Sequence, residues 1–166
     1  MVVVCVDGCA GEYLALGFAH GELPHLAKLG VSGHYGQARG ALPSFTNVNN
    51  CAMVTGTPPS QTGIGGNYIL DPDTGEEVMT NSSRFLRNDT ILAAASAAGR
   101  RVAMVTAKDK LRELLSKGMD GIAASAEKAN DVSLKVNGID DVESHAGPKP
   151  TIYPRAASLS SPRPHA

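Results

Sequence analysis

Residues 102–124, "VAMVTAKDKLRELLSKGMDGIAA", carry the alternation that decides the fold class. The apolar run Val102–Thr106 predicts a buried strand, and the shorter run Ile122–Ala124 predicts another. Between them, Asp109–Lys117 has the leucine spacing of an amphipathic helix, which Gly118 ends. A strand, a helix and a strand in this order predict a parallel sheet with helices packed against it.

The rest of the chain continues this alternation, beginning with the β-branched run Val2–Val6, which predicts a strand buried on both faces. Further predicted elements are helices at Pro24–Leu29 (with Gly30 as its C-cap), Thr46–Val54 and Ile91–Ala98, and a strand at Val31–Ala38. We therefore expect an α/β fold with a mainly parallel sheet. Ligands of such sheets bind beyond the carboxyl ends of the strands. Asp7, Lys108 and Lys110 follow predicted strands, so we expect them at the same edge.

Composition limits the possible partners of the 166-residue chain. Hydrophobic residues make up 42% and charged residues 19%, which is typical of a globular domain. The net charge of −1, with 4% aromatic residues and no Trp, argues against nucleic acid or an anionic membrane as a partner. Three cysteines are too few for a disulfide framework, and their odd number favours reduced thiols in a cytoplasmic protein.

The end of the sequence differs in composition from the rest. Residues 148–166 contain five of the ten prolines and no acidic residue, and they show no apolar periodicity. This composition is typical of disorder. We therefore predict one domain over residues 1–145 and a disordered tail over residues 146–166.

A polar first turn opens the helix predicted at Thr46, although the rest of that helix is apolar. The polar residues either cap the helix or face a ligand. Free N–H groups and the helix dipole favour an anion at this position. A Thr46 hydroxyl bound to zinc would be an activated nucleophile. The alternative is that Ser44 or Thr46 is only the N-cap.

Three other positions have a chemical and a plain interpretation. Asp7 could ligate a divalent cation, or it could be a turn residue before Gly8. Asn67 follows two glycines, which allow close backbone approach, in a loop that either cradles a phosphate or is an ordinary surface loop. Lys108 and Lys110 could clamp an anion or belong to a solvated surface.

Three motifs occur in an order that resembles phosphonoacetate hydrolase. They are "VVVCVDG" (residues 2–8), "ALPSFTNVNNCAMVTGTPPSQTGIGGNY" (residues 41–68) and "VTAKDKL" (residues 105–111). The resemblance extends over about residues 1–140. This family belongs to the alkaline phosphatase superfamily, alongside the nucleotide pyrophosphatase/phosphodiesterases. The resemblance implies a three-layer α/β sandwich and a hydrolase of phosphonate catabolism, which cleaves the C–P bond of a small-molecule phosphonate to give acetate and phosphate.

The resemblance also implies roles for the five singled-out residues. Asp7 and Thr46 match ligands of one of two Zn²⁺ ions, and Thr46 also matches the nucleophile. Asn67 matches the residue that hydrogen-bonds a phosphoryl oxygen. Lys108 and Lys110 match lysines that hold the substrate carboxylate.

The sequence departs from the family at the zinc ligands. The Asp-His pair that the family uses further along the chain does not occur. The matched motifs give two ligands, whereas zinc normally takes three or four from the protein. We therefore expect the N-terminal part of the catalytic domain, truncated by a frameshift or otherwise. Two alternatives stay open: a catalytically inactive fragment, and a related phosphodiesterase or nucleotide pyrophosphatase.

Overall fold

The computed structural model describes residues 1–128. On the basis of their internal contacts, these residues form a first unit, Met1–Gly40, and a second unit that begins at Ala41. The first unit contains helices α1 (Gly11–Ala19) and α2 (Pro24–Ser32). The second contains α3 (Thr46–Thr55), α4 (Pro59–Thr62), β1 (Tyr68–Leu70), β2 (Glu77–Met79), α5 (Ile91–Ala97), β3 (Ala103–Thr106), α6 (Asp109–Leu115) and β4 (Ile122–Ser125). Short 3₁₀ turns follow at Ser83–Phe85 and Ala126–Lys128. Among these helices, none is long and apolar enough to cross a membrane.

The prediction of a first strand at Val2–Val6 is wrong. These residues belong to no regular element, and their side chains are exposed. A strand requires a neighbour to which its N–H and C=O groups can bond. Within the described residues, the strand pairs are β1 with β2 and β3 with β4, so this apolar run has no ladder.

The second helix is longer than predicted, and it includes the first residues of another predicted strand. Pro24 begins α2 as expected, but the helix continues through Gly30 to Ser32 and has Gly33 as its C-cap. A glycine inside a helix costs only about 1 kcal/mol relative to alanine, so it does not always end one. The strand predicted at Val31–Ala38 is therefore wrong, because its first two residues are helical and residues 33–38 form no element.

The strand–helix–strand unit that decides the fold class is confirmed. β3 and β4 pair in parallel, from Ala103 opposite Ile122 to Thr106 opposite Ser125, and α6 connects them. α6 ends at Leu115, two residues before the predicted end. The fold is α/β, as predicted from the sequence.

The helix predicted at Thr46–Val54 is confirmed as α3, and it joins the core to the candidate site. Its C-cap, Gly56, has φ of +66°, a conformation that glycine adopts without strain. The buried apolar core consists of Val48, Cys51, Ile64, Leu86, Leu114 and Leu115. α3 packs against α6 within this core. Burial raises the pKa of the Cys51 thiol to about 12, whereas Cys5 and Cys9 are exposed.

An antiparallel hairpin, which the sequence did not lead us to expect, follows α4. Tyr68 lies opposite Met79 and Leu70 lies opposite Glu77. Arg84 pairs with Asp71 and Asp73 in the connecting turn. The Arg84 guanidinium, through hydrogen bonding, holds the pKa of the buried Asp71 carboxyl below its usual range. The hairpin is thus anchored at its turn.

Candidate active site

Thr46 is the first residue of α3, and its side chain is half-buried. Phe45 is the N-cap residue, with extended backbone, and no side chain at that position caps the helix. The alternative in which Ser44 or Thr46 is the N-cap is therefore wrong. The N–H groups of the first turn have no partner within the helix and must find one elsewhere.

Asn67 supplies a partner for one of these N–H groups. The Asn47 backbone N–H donates to Asn67 Oδ1, at 3.3 Å between nitrogen and oxygen. Asn67 lies 20 residues further along the chain, so its side chain closes the start of α3 from outside the helix. Because Oδ1 is the acceptor, Nδ2 of the same amide is a donor, and it makes no hydrogen bond within residues 1–128. The structure thus brings an amide donor to the residue next to Thr46.

Asn47 connects the same turn to the hairpin. Its side chain is fully buried, and Nδ2 donates to the carbonyl oxygen and the hydroxyl of Thr80, at 3.1 and 3.0 Å. The Thr80 hydroxyl donates to the Gly66 carbonyl at 2.7 Å, and the Thr80 N–H donates to the Asn67 carbonyl at 2.9 Å. We call this set of bonds among Asn47, Gly66, Asn67 and Thr80 the Asn67 ring.

The other two asparagines of α3 hold the chain that enters the helix. Asn49 Oδ1 accepts from the Ala41 N–H at 2.7 Å, and its Nδ2 donates to the Ala41 and Phe45 carbonyls, each at 3.3 Å. Asn50 Nδ2 donates to the Thr46 carbonyl at 2.9 Å. The backbone on both sides of the Thr46 hydroxyl is therefore fixed by side chains of the same helix.

The two lysines lie at the start of α6, which packs against α3. Lys108 is the N-cap residue and Lys110 is the second residue of the helix, and both are half-buried. The Thr106 hydroxyl donates to the Lys108 carbonyl at 2.9 Å, which fixes the backbone between β3 and α6. The lysines and Thr46 are thus carried by two helices in contact.

Asp109, between the lysines, fixes this helix start. It accepts a hydrogen bond from Arg112 Nε at 2.7 Å and pairs with Lys128 Nζ at 3.1 Å. Its backbone N–H donates to Glu127 Oε2 at 2.8 Å, and Ser125 donates to its carboxylate. The bond from Arg112, helped by Lys128 and Ser125, holds the pKa of Asp109 well below its usual range.

Asp7 belongs to the first unit, where it is exposed in a turn before Gly8. Gly8 has φ of +73°, which suits a glycine in such a turn. The local backbone therefore agrees with the turn interpretation of Asp7.

A complete metal site is not found in the described part of the chain. No group of three or more His, Cys, Asp or Glu side chains within residues 1–128 could hold a metal ion. Zinc takes three or four protein ligands, so these residues do not fit a full zinc site.

Sequence reasoning missed Thr80 because it missed the hairpin. Thr80 reaches Asn67 only because β1 and β2 pair, and each strand has just three residues. A signal was available: "DPDTG" at residues 71–75 is rich in turn residues and lies between the triplets "YIL" and "EVM", each with a β-branched residue at its centre.

Two kinds of comparison identify the relatives of the chain. Residues 1–137 match the model of the family described as Type I phosphodiesterase / nucleotide pyrophosphatase. Phosphonoacetate hydrolase from Sinorhizobium meliloti 1021 in complex with phosphonoformate matches at 45% sequence identity with a TM-score of 0.77. The same enzyme in complex with phosphonoacetate matches at 43% identity with a TM-score of 0.79.

The matches cover a larger fraction of this chain than of the solved chains. The match covers 88% of this chain but 37% of the solved chains, so this chain spans well under half of their length. The resemblance to phosphonoacetate hydrolase inferred from the motifs is confirmed as a similarity over most of the sequence. The family model covers residues 1–137 of 166. The chain therefore belongs to the Type I phosphodiesterase / nucleotide pyrophosphatase family.

Proposed function

We propose that this chain carries the nucleophile and the phosphonate-binding groups of a phosphonoacetate hydrolase. The observation that carries the proposal is the placement of the Asn67 amide at the first turn of α3, next to Thr46. A hydroxyl at Thr46 and an amide bonded to the following residue, Asn47, suit attack on phosphorus and stabilisation of the charge that develops on a phosphoryl oxygen. The solved relatives hold phosphonoformate and phosphonoacetate.

The reaction can be written with the residues of this chain. The Thr46 hydroxyl gives its proton to solvent water, and its oxygen forms a bond to phosphorus. The C–P electron pair leaves with the carbon, which takes up a proton to give acetate. Water then releases phosphate from Thr46. Asn67 Nδ2 is the donor for a phosphoryl oxygen whose negative charge grows during the attack.

The lysines serve the carboxylate of the substrate in this proposal. The carbon that leaves phosphorus carries developing negative charge, which the neighbouring carboxylate delocalises. Lys108 and Lys110 lie at the start of α6, which packs against α3, so the two lysines belong to a helix in contact with the nucleophile helix. A charge-assisted hydrogen bond contributes about 1.5–3 kcal/mol, enough to select a substrate with a carboxylate.

Zinc is the cofactor that the resemblance implies, with Asp7 and Thr46 as the ligands proposed for this chain. Residues 1–128 do not complete such a site. A second candidate function follows from this observation: the chain binds the phosphonate without turning it over. The third candidate, a related phosphodiesterase, differs from the first in needing no carboxylate on the substrate.

Phosphate release from phosphonoacetate, with zinc added, tests the proposal. We expect Thr46→Ala to lower the rate by at least about 10³-fold, because no other group replaces the nucleophile. Ser44→Ala is the matched control, since it removes an exposed hydroxyl two residues away and should leave the rate unchanged. Turnover that survives in Thr46→Ala contradicts the role of Thr46. Binding of phosphonoacetate by calorimetry without any turnover favours the second candidate.

A further inference from the structure

The Asn67 ring controls both the side chain and the backbone of Asn67. The Asn47 N–H donates a hydrogen bond to Asn67 Oδ1, and the Thr80 N–H donates one to the Asn67 carbonyl. The Thr80 hydroxyl donates a hydrogen bond to the carbonyl of Gly66, the residue directly before Asn67. Asn47 Nδ2 ties Thr80 back to α3. Asn47 and Thr80 are both fully buried, so the two bonds between them are shielded from water.

Donor and acceptor chemistry fixes the direction of every bond in the ring. Asn47 Nδ2 also faces the Thr80 carbonyl, which only accepts, so this atom must be the nitrogen of the amide. The Thr80 hydroxyl accepts from it and gives its single proton to Gly66. A flipped Asn67 amide would set its NH₂ group against the Asn47 N–H, two donors facing each other. The ring therefore allows one orientation, in which Nδ2 is left to donate outward.

Burial of the Asn47 amide lowers the stability of the fold unless its hydrogen bonds compensate. Its Oδ1 is enclosed and has no hydrogen-bond partner within residues 1–128. A buried polar atom without a partner costs about 1–3 kcal/mol. The nitrogen of the same amide makes two hydrogen bonds to Thr80, which offset part of this cost.

We infer that Asn47 and Thr80 are positioning residues, which hold the Asn67 amide with Nδ2 directed at a phosphoryl oxygen of a phosphonate bound at Thr46. The substrate in this inference rests on the proposed function. The orientation of Asn67 does not, since it follows from the ring. Neither residue touches the reacting atoms; both act through Asn67.

The mobility of the Asn67 side-chain amide tests the inference without any need for turnover. In the ¹⁵N-labelled chain, its resonance is identified by its loss in Asn67→Asp. Thr80→Val keeps the shape of the side chain and removes the hydroxyl. We expect the order parameter of the Asn67 side-chain amide to fall, relative to the unmodified chain, into the flexible range below about 0.6. Thr80→Ser keeps the hydroxyl and should restore the rigid value.

Thr90→Val is the matched control. Thr90 is also a buried threonine of the second unit, and its hydroxyl also accepts one bond, from the Ala93 N–H, and donates one, to the Lys117 carbonyl. It should leave the Asn67 amide rigid. An unchanged amide in Thr80→Val, or an equal change in Thr90→Val, overturns the inference.

A second variant keeps the test decisive if Thr80→Val does not fold. Asn47→Ala removes the same link from the side of α3, and we expect the same loss of order at Asn67. Different results contradict the proposed function and the positioning role of Asn47 and Thr80. Lack of phosphonoacetate turnover by the unmodified chain contradicts the proposed function alone. A rigid Asn67 amide in Thr80→Val, or in Asn47→Ala where Thr80→Val does not fold, overturns the inference even in an active protein.

Discussion

Asparagine is a poor helix former, and α3 contains three within its first five residues. Each costs a few tenths of a kcal/mol relative to alanine in a helix interior. Each net hydrogen bond contributes about 0.5–1.5 kcal/mol. Asn47, Asn49 and Asn50 together donate or accept bonds to the hairpin, the entering chain and Thr46 itself. The local cost of the three residues is therefore offset by the anchoring of one turn.

Sequence reasoning could detect that this turn is unusual, but it could not identify the partners. Asn49 bonds a residue 8 positions away, whereas Asn47 bonds residues 20 and 33 positions away. Helix periodicity describes contacts three or four residues apart, so partners at such distances depend on the tertiary fold. The motif resemblance singled out Asn67 but gave no reason for its orientation.

Lys110 provides the residue-scale prediction. Its ammonium forms no ion pair with any residue of the described part of the chain, so it is available for a substrate carboxylate. We expect Lys110→Ala to raise KM for phosphonoacetate by roughly 10- to 100-fold, from the loss of a charge-assisted hydrogen bond. KM for p-nitrophenyl phosphate, which has no carboxylate, should change little.

The exposed Lys28 supplies the control for this prediction. Lys28→Ala removes the same charge and should leave KM for both substrates unchanged. Equal increases for the two substrates in Lys110→Ala would contradict a role in carboxylate recognition and would favour the phosphodiesterase candidate.

At the scale of elements, the strand–helix–strand unit was predictable and the hairpin was not. α6 has leucines at helical spacing, and its neighbours are short apolar runs, so local pattern and tertiary environment agree. β1 and β2 have three residues each, which is too short for a reliable alternation. Val2–Val6 shows the opposite error, because strand propensity alone does not provide a partner strand.

The start of α6 gives the element-scale prediction. Arg112 and Lys128 hold the pKa of Asp109 below its usual range, so the folded state favours its charged form. This stabilisation is fully present above the ordinary Asp pKa of about 3.9 and is lost as the pH falls below it. We expect Asp109→Asn to lower the free energy of unfolding by about 1 kcal/mol at pH 7. The difference from the unmodified chain should shrink between about pH 5 and pH 2.

Urea unfolding at a series of pH values measures this difference. Asp120→Asn is the matched control, because the Asp120 carboxylate forms no ion pair in the described residues. It should leave the unfolding free energy nearly unchanged at every pH. A deficit of Asp109→Asn that stays constant down to pH 2 would show that the ion pairs do not stabilise α6.

At the scale of the whole molecule, much apolar surface is exposed. Val2, Val3 and Val4 are each more than three-quarters exposed. Val105 of β3 is 72% exposed and Ile122 of β4 is 39% exposed. Both lie on the same face of the two-stranded parallel sheet, where Ala103 pairs with Ile122. Parallel sheets in proteins are normally covered on both faces, so this surface favours association.

Self-association of the chain should therefore depend on the exposed face of β3. An exposed apolar face favours contact with other chains, and a charged side chain on that face opposes it. We expect the unmodified chain to form concentration-dependent oligomers in sedimentation velocity experiments at tens of micromolar, and Val105→Glu to shift it toward the monomer. The net charge is −1, so any added glutamate also increases repulsion between chains.

Met53→Glu separates the two effects. Met53 is 59% exposed on α3, so the substitution adds the same charge at a position outside the sheet face. If the sheet face drives association, Met53→Glu keeps most of the oligomer and Val105→Glu does not. Equal dissociation in both variants would assign the effect to net charge, and a monomeric unmodified chain would contradict the prediction outright. The comparison thus tests whether the apolar face of a two-stranded parallel sheet needs a cover, as the physics of such sheets requires.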